Sequence, residues 1–292
     1  MRNLVLAAAA LTALAAGAQA SPSPQPSPPD AKAESPAMKE YAALKADYDK
    51  AYKDYVSAYQ SAKTDEDRQK AGALRPKPEE WSAKFKAIAD KHASDPAAAE
   101  CLAWIVQNDR TAATQQDALD ALLAKHLASL AIARVCQSLE YSTAPNAETF
   151  LRTALEKGAN HETQGRACYT LARVLSARSS LAERVKSGEQ MPGNLDQWYG
   201  KGFTEKLQKA DPAALREESE KLFERVVAKF GDLSWYGERT LGVKATGDLF
   251  EMRNLGIGKT APEIVGEDEN GKAIKLSDFR GKVVLLDFWG FW

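Results

Sequence analysis

The stretch KTAPEIVGEDENGKAIKLSDFRGKVVLLDFWGFW, residues 259–292, carries the clearest structural signals in this chain. Its Asn-Gly pair at 270–271 is a strong β-hairpin turn signal, because both central positions of such a turn adopt positive φ. The flanking segments 263–267 and 273–276 are predicted as the paired strands. The apolar run 283–289 is rich in β-branched and aromatic residues and predicts a third strand, buried on both faces.

These residues resemble the opening of a thioredoxin-like domain of the redoxin/TlpA kind, the exported thiol-disulfide oxidoreductases. The letters APEI and DENGKAIKLSDFRGK are similar to the family's entry hairpin, and VVLLDFWGFW is similar to the central strand that delivers its active site. The resemblance covers residues 257–292 only. It implies that a W-C-x-x-C motif comes next, with Trp292 as its tryptophan. The chain would then be truncated just before its catalytic cysteines and inactive as it stands.

Asp287 is a carboxylate inside the most apolar segment of the chain. The resemblance places it beneath the second cysteine, where a buried acid can exchange a proton during thiol-disulfide transfer. The first cysteine would lie at a helix N-terminus, which stabilises a thiolate. The alternative is an aspartate at the fraying end of a strand. The resemblance implies protein thiols and disulfides as partners, and no cofactor.

Two other functions stay open. A peroxidase of the alkyl-hydroperoxide-reductase/peroxiredoxin type shares the entry hairpin and the LSDFRGK link, although the FWGFW ending at 288–292 favours the C-x-x-C branch. A non-catalytic exported helical binding protein is the third alternative. Because the break falls where the attacking cysteine belongs, an incomplete sequence, a true stop and a selenocysteine codon are all open explanations.

The N-terminal residues 1–20 match a secretory signal peptide. Arg2 supplies the positive start, residues 4–16 form the apolar region, and Ala-Gln-Ala at 18–20 is the small-x-small cleavage site. That apolar region is shorter than the roughly 20 residues that span a bilayer. Residues 21–36 are rich in proline and serine and predict an extended tether. We therefore expect an exported protein, most simply a periplasmic one, without a stable membrane span.

Residues 37–254 are expected to form an α-helical domain, because alanine alternates with charged residues throughout. The predicted fold is therefore mainly α, with a helical part followed by the first strands of an incomplete thioredoxin-like α/β domain. A stripe of tyrosines at helical spacing in the first helix predicts a packing face. The segments predicted as helices are 38–62, 77–92, 97–107, 115–125, 127–140, 147–157, 161–186, 203–209, 212–230 and 234–254.

The helical part shows a weak internal period. Cys101, Cys136 and Cys168 recur at similar spacing among small and apolar residues. Segments 147–157 and 161–186, joined by Gly-Ala-Asn, resemble one tetratricopeptide-type unit, whose period is about 34 residues. Repeat surfaces commonly bind peptides or proteins, so a partner-binding role is expected by analogy.

The three cysteines are interpreted first as buried apolar residues, second as one disulfide plus a free thiol, and third as catalytic. None lies in a C-x-x-C pair or at ligand spacing from a histidine, so no metal site is expected. The formal net charge of -1 gives no steering toward nucleic acid. Gly258-Lys259-Thr260 resembles the end of a phosphate-binding loop, but Arg253 occupies the required glycine position, so nucleotide binding is rejected.

Overall fold

The computed structural model describes residues 35–189, 194–256, 258–287 and 290. Within these ranges the fold is mainly α-helical with a small β portion, which confirms the predicted fold class. The predicted signal peptide and most of the tether lie outside the described residues. No helix in the described ranges combines the length and apolar character that crossing a bilayer requires.

The bounds of the elements follow the chain order. The α-helices are α1 (Pro36–Ser61), α2 (Asp65–Ala73), α3 (Pro78–Lys91), α4 (Pro96–Asn108), α5 (Ala112–Lys125), α6 (Ala131–Ser138), α7 (Ala147–Lys157), α8 (His161–Lys186), α9 (Leu195–Tyr199), α10 (Phe203–Lys209), α11 (Pro212–Lys229) and α12 (Leu241–Asn254). The strands are β1 (Ser234–Tyr236), β2 (Arg239–Thr240), β3 (Val265–Glu267) and β4 (Ala273–Lys275), and 3-10 helices cover Leu139–Tyr141 and Leu276–Phe279.

Helix α4 is the centre of the N-terminal half and is buried over most of its length. Asp95 begins the helix, because its carboxylate accepts the backbone N–H of Ala97 at 2.8 Å. Trp104 stacks on the fully buried Phe85 of α3 with ring centroids 4.1 Å apart. Tyr48 of α1 meets the Trp104 ring edge-on at 4.8 Å. These aromatic contacts fix three helices around one apolar cluster.

The tyrosine stripe of α1 packs only along its first half. Tyr41 and Tyr48 lie against the core, whereas Tyr52 and Tyr59 are 46% and 48% exposed. The outer rings contact one another, with centroids 5.8 Å apart between Tyr52 and Tyr55. The predicted packing face is therefore correct for the part of α1 that faces α3 and α4.

Helix α8 is the centre of the C-terminal half and contacts α6, α7, α10 and α11. The Asn160 side chain starts it by accepting the Thr163 N–H at 2.8 Å. Gly165 lets α8 approach the residue that ends α11, since an added Cβ would lie 3.0 Å from Phe230 Cβ and 3.1 Å from Phe230 Cγ. The buried Ser219 hydroxyl donates to the Ala172 carbonyl at 2.8 Å, so this interface contains a satisfied polar contact.

The segment 234–254 is not one helix, which corrects the prediction. Its first seven residues form a small antiparallel hairpin of β1 and β2, and α12 begins at Leu241. Gly237 in the turn has a φ of 57°, a conformation that a helix interior does not contain. The Thr240 side chain then caps α12 by accepting the Val243 N–H at 3.4 Å.

Two further predictions in the helical part were inaccurate. The helix expected at 127–140 is shorter, since α6 starts at Ala131 and gives way to a 3-10 turn after Ser138. Helix α2, which contains most of the exposed charged residues 63–70, was not among the predicted helices. A capping box begins α2, with Thr64 and Asp67 each accepting the other's backbone N–H.

The close approach of Gly231 to Gly242 gives a stability prediction. A Cβ at position 242 would lie 2.8 Å from the Gly231 Cα, so Gly242→Ala should lower the free energy of unfolding by about 1–3 kcal/mol. Gly247 lies in the same helix with open space around it, so Gly247→Ala should raise that energy by about 0.5–1 kcal/mol. Urea unfolding followed by circular dichroism measures both, and equal effects would contradict the packing argument.

Candidate functional site

The segment with the family resemblance forms the predicted hairpin. Strand β3 pairs antiparallel with β4, with Val265 opposite Lys275 and Glu267 opposite Ala273. Both strands are shorter than the segments 263–267 and 273–276 that the sequence predicted. Three paired residues in each strand are enough to hold the hairpin together, because the turn between the strands and the link after β4 form further hydrogen bonds.

The turn lies one residue earlier than the Asn-Gly signal indicated. The Gly271 N–H donates to the Asp268 carbonyl at 2.9 Å, so Glu269 and Asn270 are the central residues. Gly271 follows them with a φ of 76°. The Asp268 carboxylate decides this register by accepting the N–H groups of Asn270 at 2.9 Å and Lys272 at 3.0 Å. The aspartate two residues before the Asn-Gly pair is the sequence signal that predicts the observed position of the turn.

The LSDF link is tied back to the start of the hairpin. The Leu276 N–H donates to the Ile264 carbonyl at 2.9 Å, and the Ser277 N–H donates to the Glu263 carboxylate at 3.0 Å. The hydrogen bond from Ser277 lowers the pKa of Glu263. These bonds position the 3-10 helix directly before the apolar run.

The apolar run does not form the predicted third strand in its described part, residues 283–287. Val283 and Leu285 are fully exposed or nearly so, at 103% and 93%, whereas Val284 and Leu286 are roughly half-exposed. Val284 and Leu286 line an apolar groove of about 270 Å³. The other lining residues include Ile264, Ile274, Leu276 and Phe279. A strand requires a neighbour that pairs with its backbone, and no described strand lies beside this run.

Asp287 is exposed in the structure. Its predicted partner atom, a sulfur, is not brought to it, because Cys101, Cys136 and Cys168 are buried in α4, α6 and α8. Trp292 lies outside the described residues. The catalytic roles expected for Asp287 and Trp292 therefore stay predictions.

The three cysteines behave as the first interpretation predicted. All three are free and fully buried, and no disulfide joins them. Burial raises the pKa of Cys101 and of Cys168 to about 12, and it raises that of Cys136 as well. The Cys168 thiol donates to the Leu222 carbonyl at 3.4 Å. Across the described ranges, no group of histidine, cysteine and carboxylate side chains has a metal-holding arrangement.

A charged network around the buried Asp248 joins α8 to α12, and sequence reasoning did not predict it. The Tyr169 hydroxyl donates to the Asp248 carboxylate at 2.8 Å, and Asp248 is only 6% exposed. Arg173 donates to Glu140 at 2.9 Å and lies 3.5 Å from Asp248. Burial, together with Asp248, raises the pKa of Tyr169. Tyr169 and Arg173 are one helical turn apart on α8, but Asp248 is 79 residues from Tyr169, so no local pattern links it to them.

Comparison with curated proteins finds one kind of relative. Over 39 residues the chain is 60% identical to thiol-disulfide oxidoreductase ResA of Bacillus subtilis (strain 168). The matched stretch covers 13% of this chain and 22% of the relative. Part of this chain is similar to ResA. The ResA of Bacillus cereus (strain ATCC 10987 / NRS 248) is 58% identical over 46 residues, covering 16% and 27% of the two chains. That of Geobacillus kaustophilus (strain HTA426) is 48% identical over 42 residues, covering 14% and 24%.

The chain thus spans about a quarter of the length of the ResA relatives that it matches. No family model matches the chain, and no solved structure matches it. The similarity supports a thioredoxin-like redox relationship for a short segment, and it does not extend to most of the helical part.

Burial of the cysteines predicts their reactivity. With a pKa of about 12, only about one in 10,000 Cys101 or Cys168 thiols is ionised at pH 8. Ellman's reagent should therefore label all three thiols slowly in the native chain and promptly after unfolding in guanidinium chloride. Fast labelling of any thiol before unfolding would show that its burial is wrong.

The charged network predicts a cost for removing one hydroxyl. Tyr169→Phe deprives the buried Asp248 of a donor and should lower the free energy of unfolding by about 1–3 kcal/mol. Tyr236→Phe is the matched control, because Tyr236 is 82% exposed and should change stability by less than about 0.5 kcal/mol. Thermal or urea unfolding measures the difference, and its absence would mean that water replaces the Tyr169 hydroxyl at no cost.

Proposed function

We propose that this chain belongs to an extracytoplasmic thiol-disulfide oxidoreductase of the thioredoxin-like type, which exchanges electrons with the cysteine pairs of client proteins. The observation that carries the proposal is the 60% identity to ResA over 39 residues. The matched lengths of 39 to 46 residues are close to that of segment 257–292, where the hairpin and LSDF link form. The hairpin that forms within this segment supports the same assignment, although its turn lies one residue earlier than the Asn-Gly pair predicts.

The proposed organisation has four parts. Residues 1–20 are a signal peptide, 21–36 a tether, 37–254 a helical domain that binds or spaces partners, and 257–292 the start of the redox domain. The charge and cleavage pattern of the first segment supports export, most simply to a periplasm. The end of α12 at Asn254 and the start of β3 at Val265 are compatible with the last boundary.

The proposed chemistry needs a C-x-x-C pair after Trp292. The first thiolate attacks a client disulfide, forming a mixed disulfide and releasing one client thiolate, which takes up a proton. Asp287 then accepts the proton of the second thiol, which attacks the mixed disulfide and releases the other client thiol. The client is reduced, and the enzyme pair is oxidised.

The coding sequence beyond codon 292 tests the proposal directly. A cysteine codon, or a UGA translated as selenocysteine, followed after two codons by cysteine, is the expected result. Coding sequence that continues without such a pair would overturn the redox assignment and leave an exported helical protein.

An insulin-reduction assay with dithiothreitol tests the role of Asp287. The protein that includes the cysteine pair should accelerate insulin precipitation, and the 292-residue chain should not, because its own thiols are buried. In the longer protein, Asp287→Asn should lower the rate near neutral pH by roughly 100-fold, the usual contribution of a general base. Raising the pH should restore part of the rate, because the second thiol then ionises unaided.

Glu269→Gln is the matched control for that substitution. It removes one exposed carboxylate from the same segment, at the tip of the hairpin, and should leave the rate within about twofold. Equal losses in both variants would indicate a general charge effect and would contradict a proton-accepting Asp287.

A further inference from the structure

An open groove of about 620 Å³ lies between α7 and α10. Its volume is within the usual range of ligand-binding clefts, roughly 300–1,000 Å³. One side is formed by α7 and the loop before it, and the other by α10 and the turn that joins it to α9. No part of the proposed redox segment lines it, so its role is separate from the proposed function.

One wall of the groove is aromatic and apolar. Tyr199 and Phe203 stack with ring centroids 4.4 Å apart and an interplanar angle of 16°. Pro145 and the buried Leu207 also line the groove. Paired rings with one open face are a suitable contact for an apolar side chain of a ligand.

This wall packs against a small apolar cluster that includes Leu195 and Leu207, and one carboxylate also holds it. Asp196 accepts the N–H groups of Gly202 at 3.0 Å and Thr204 at 2.7 Å, and it also accepts the Thr204 hydroxyl at 2.6 Å. These hydrogen bonds, that of the Thr204 side chain first, lower the pKa of Asp196. Gly200 turns the chain with a φ of 92°. The wall is therefore organised without a bound ligand.

The charges around the groove are mainly positive. Arg152 and Arg178 both pair with the Glu148 carboxylate on the α7 side, and Arg152 also donates to Glu218 at 2.6 Å. Those two carboxylates balance the two arginines.

Two lysines on the opposite rim add uncompensated charge. Lys201 and Lys206 line the groove and are exposed, and neither forms an ion pair with any carboxylate that the structure describes. With the Asp196 carboxylate of the aromatic wall included, the groove has a net charge of about one positive unit, and its unpaired cations, Lys201 and Lys206, favour ligands with carboxylates.

We propose that this groove binds an acidic peptide segment of a partner protein, in which an aromatic or aliphatic side chain lies between carboxylates. The apolar side chain contacts Tyr199 and Phe203, and the carboxylates pair with Lys201 and Lys206 on the rim. Charge complementarity selects the partner and aromatic contact holds it. A polyanion such as nucleic acid is disfavoured, because the Glu148 carboxylate lines the same groove and the whole chain has a net charge of -1.

The test uses the 292-residue chain and fluorescein-labelled ten-residue peptides. The probe alternates aspartate with phenylalanine, one control peptide has glycine for phenylalanine, and another has lysine for aspartate. Fluorescence anisotropy should show binding of the acidic aromatic peptide at least about tenfold tighter than of either control. Binding should weaken as salt rises, since the rim lysines are exposed.

Charge-matched variants place the binding at the groove. Lys201→Glu/Lys206→Glu should weaken binding of the probe at least about tenfold. Lys209→Glu/Lys221→Glu makes the same change in net charge on α10 and α11, at exposed lysines that do not line the groove, and should stay within about twofold. Circular dichroism checks that both variants fold.

Several results would overturn the proposal. One is the absence of probe binding, and a second is an equal loss in the two double variants, which would indicate non-specific attraction. Tighter binding of a ten-nucleotide single-stranded DNA would make the groove a nucleic-acid site. Competition by free glutamate at the same concentration as the probe would show that the groove is a site for small anions and not for a peptide.

Discussion

Burial of α8 on several sides is the constraint on which the helical part depends. A helix surrounded by α6, α7, α10 and α11 can expose few polar groups to water, so each buried one needs a partner inside. Ser219 supplies one such contact at the Ala172 carbonyl, and Tyr169 supplies another at Asp248. Because Asp248 belongs to α12, this second contact also fixes the last helix of the bundle.

The C-terminal segment, residues 258–287, depends on a different kind of interaction. Its order comes from backbone pairing and from the hydrogen bonds that the Asp268 and Glu263 carboxylates accept, whereas its apolar side chains are largely exposed. Apolar groups contribute to stability only in proportion to the area that they remove from water. Val283 and Leu285 remove almost none. The hairpin is therefore specified locally, and the described part of the run after it, residues 283–287, has no strand partner.

The features that the sequence predicts correctly are those set by neighbouring residues, such as helix ends. The bounds of α7 and α8 were predicted correctly, because Asn160 caps one helix and Gly158 ends the other. The short hairpin before α12 was missed, because helical periodicity continues through it and only Gly237 marks the turn. The pairing of Tyr169 with Asp248 depends on how α8 and α12 pack, which no neighbouring residue encodes.

The cysteines of the helical part are protected from thiol chemistry. A free and accessible thiol can exchange with any disulfide nearby, because thiolates attack disulfides. Burial counters that risk in two ways at Cys101, Cys136 and Cys168, since it blocks access and it keeps the thiols protonated. The helical part can therefore lie beside a reactive cysteine pair without reacting with it, and the same apolar packing that builds its core provides this protection.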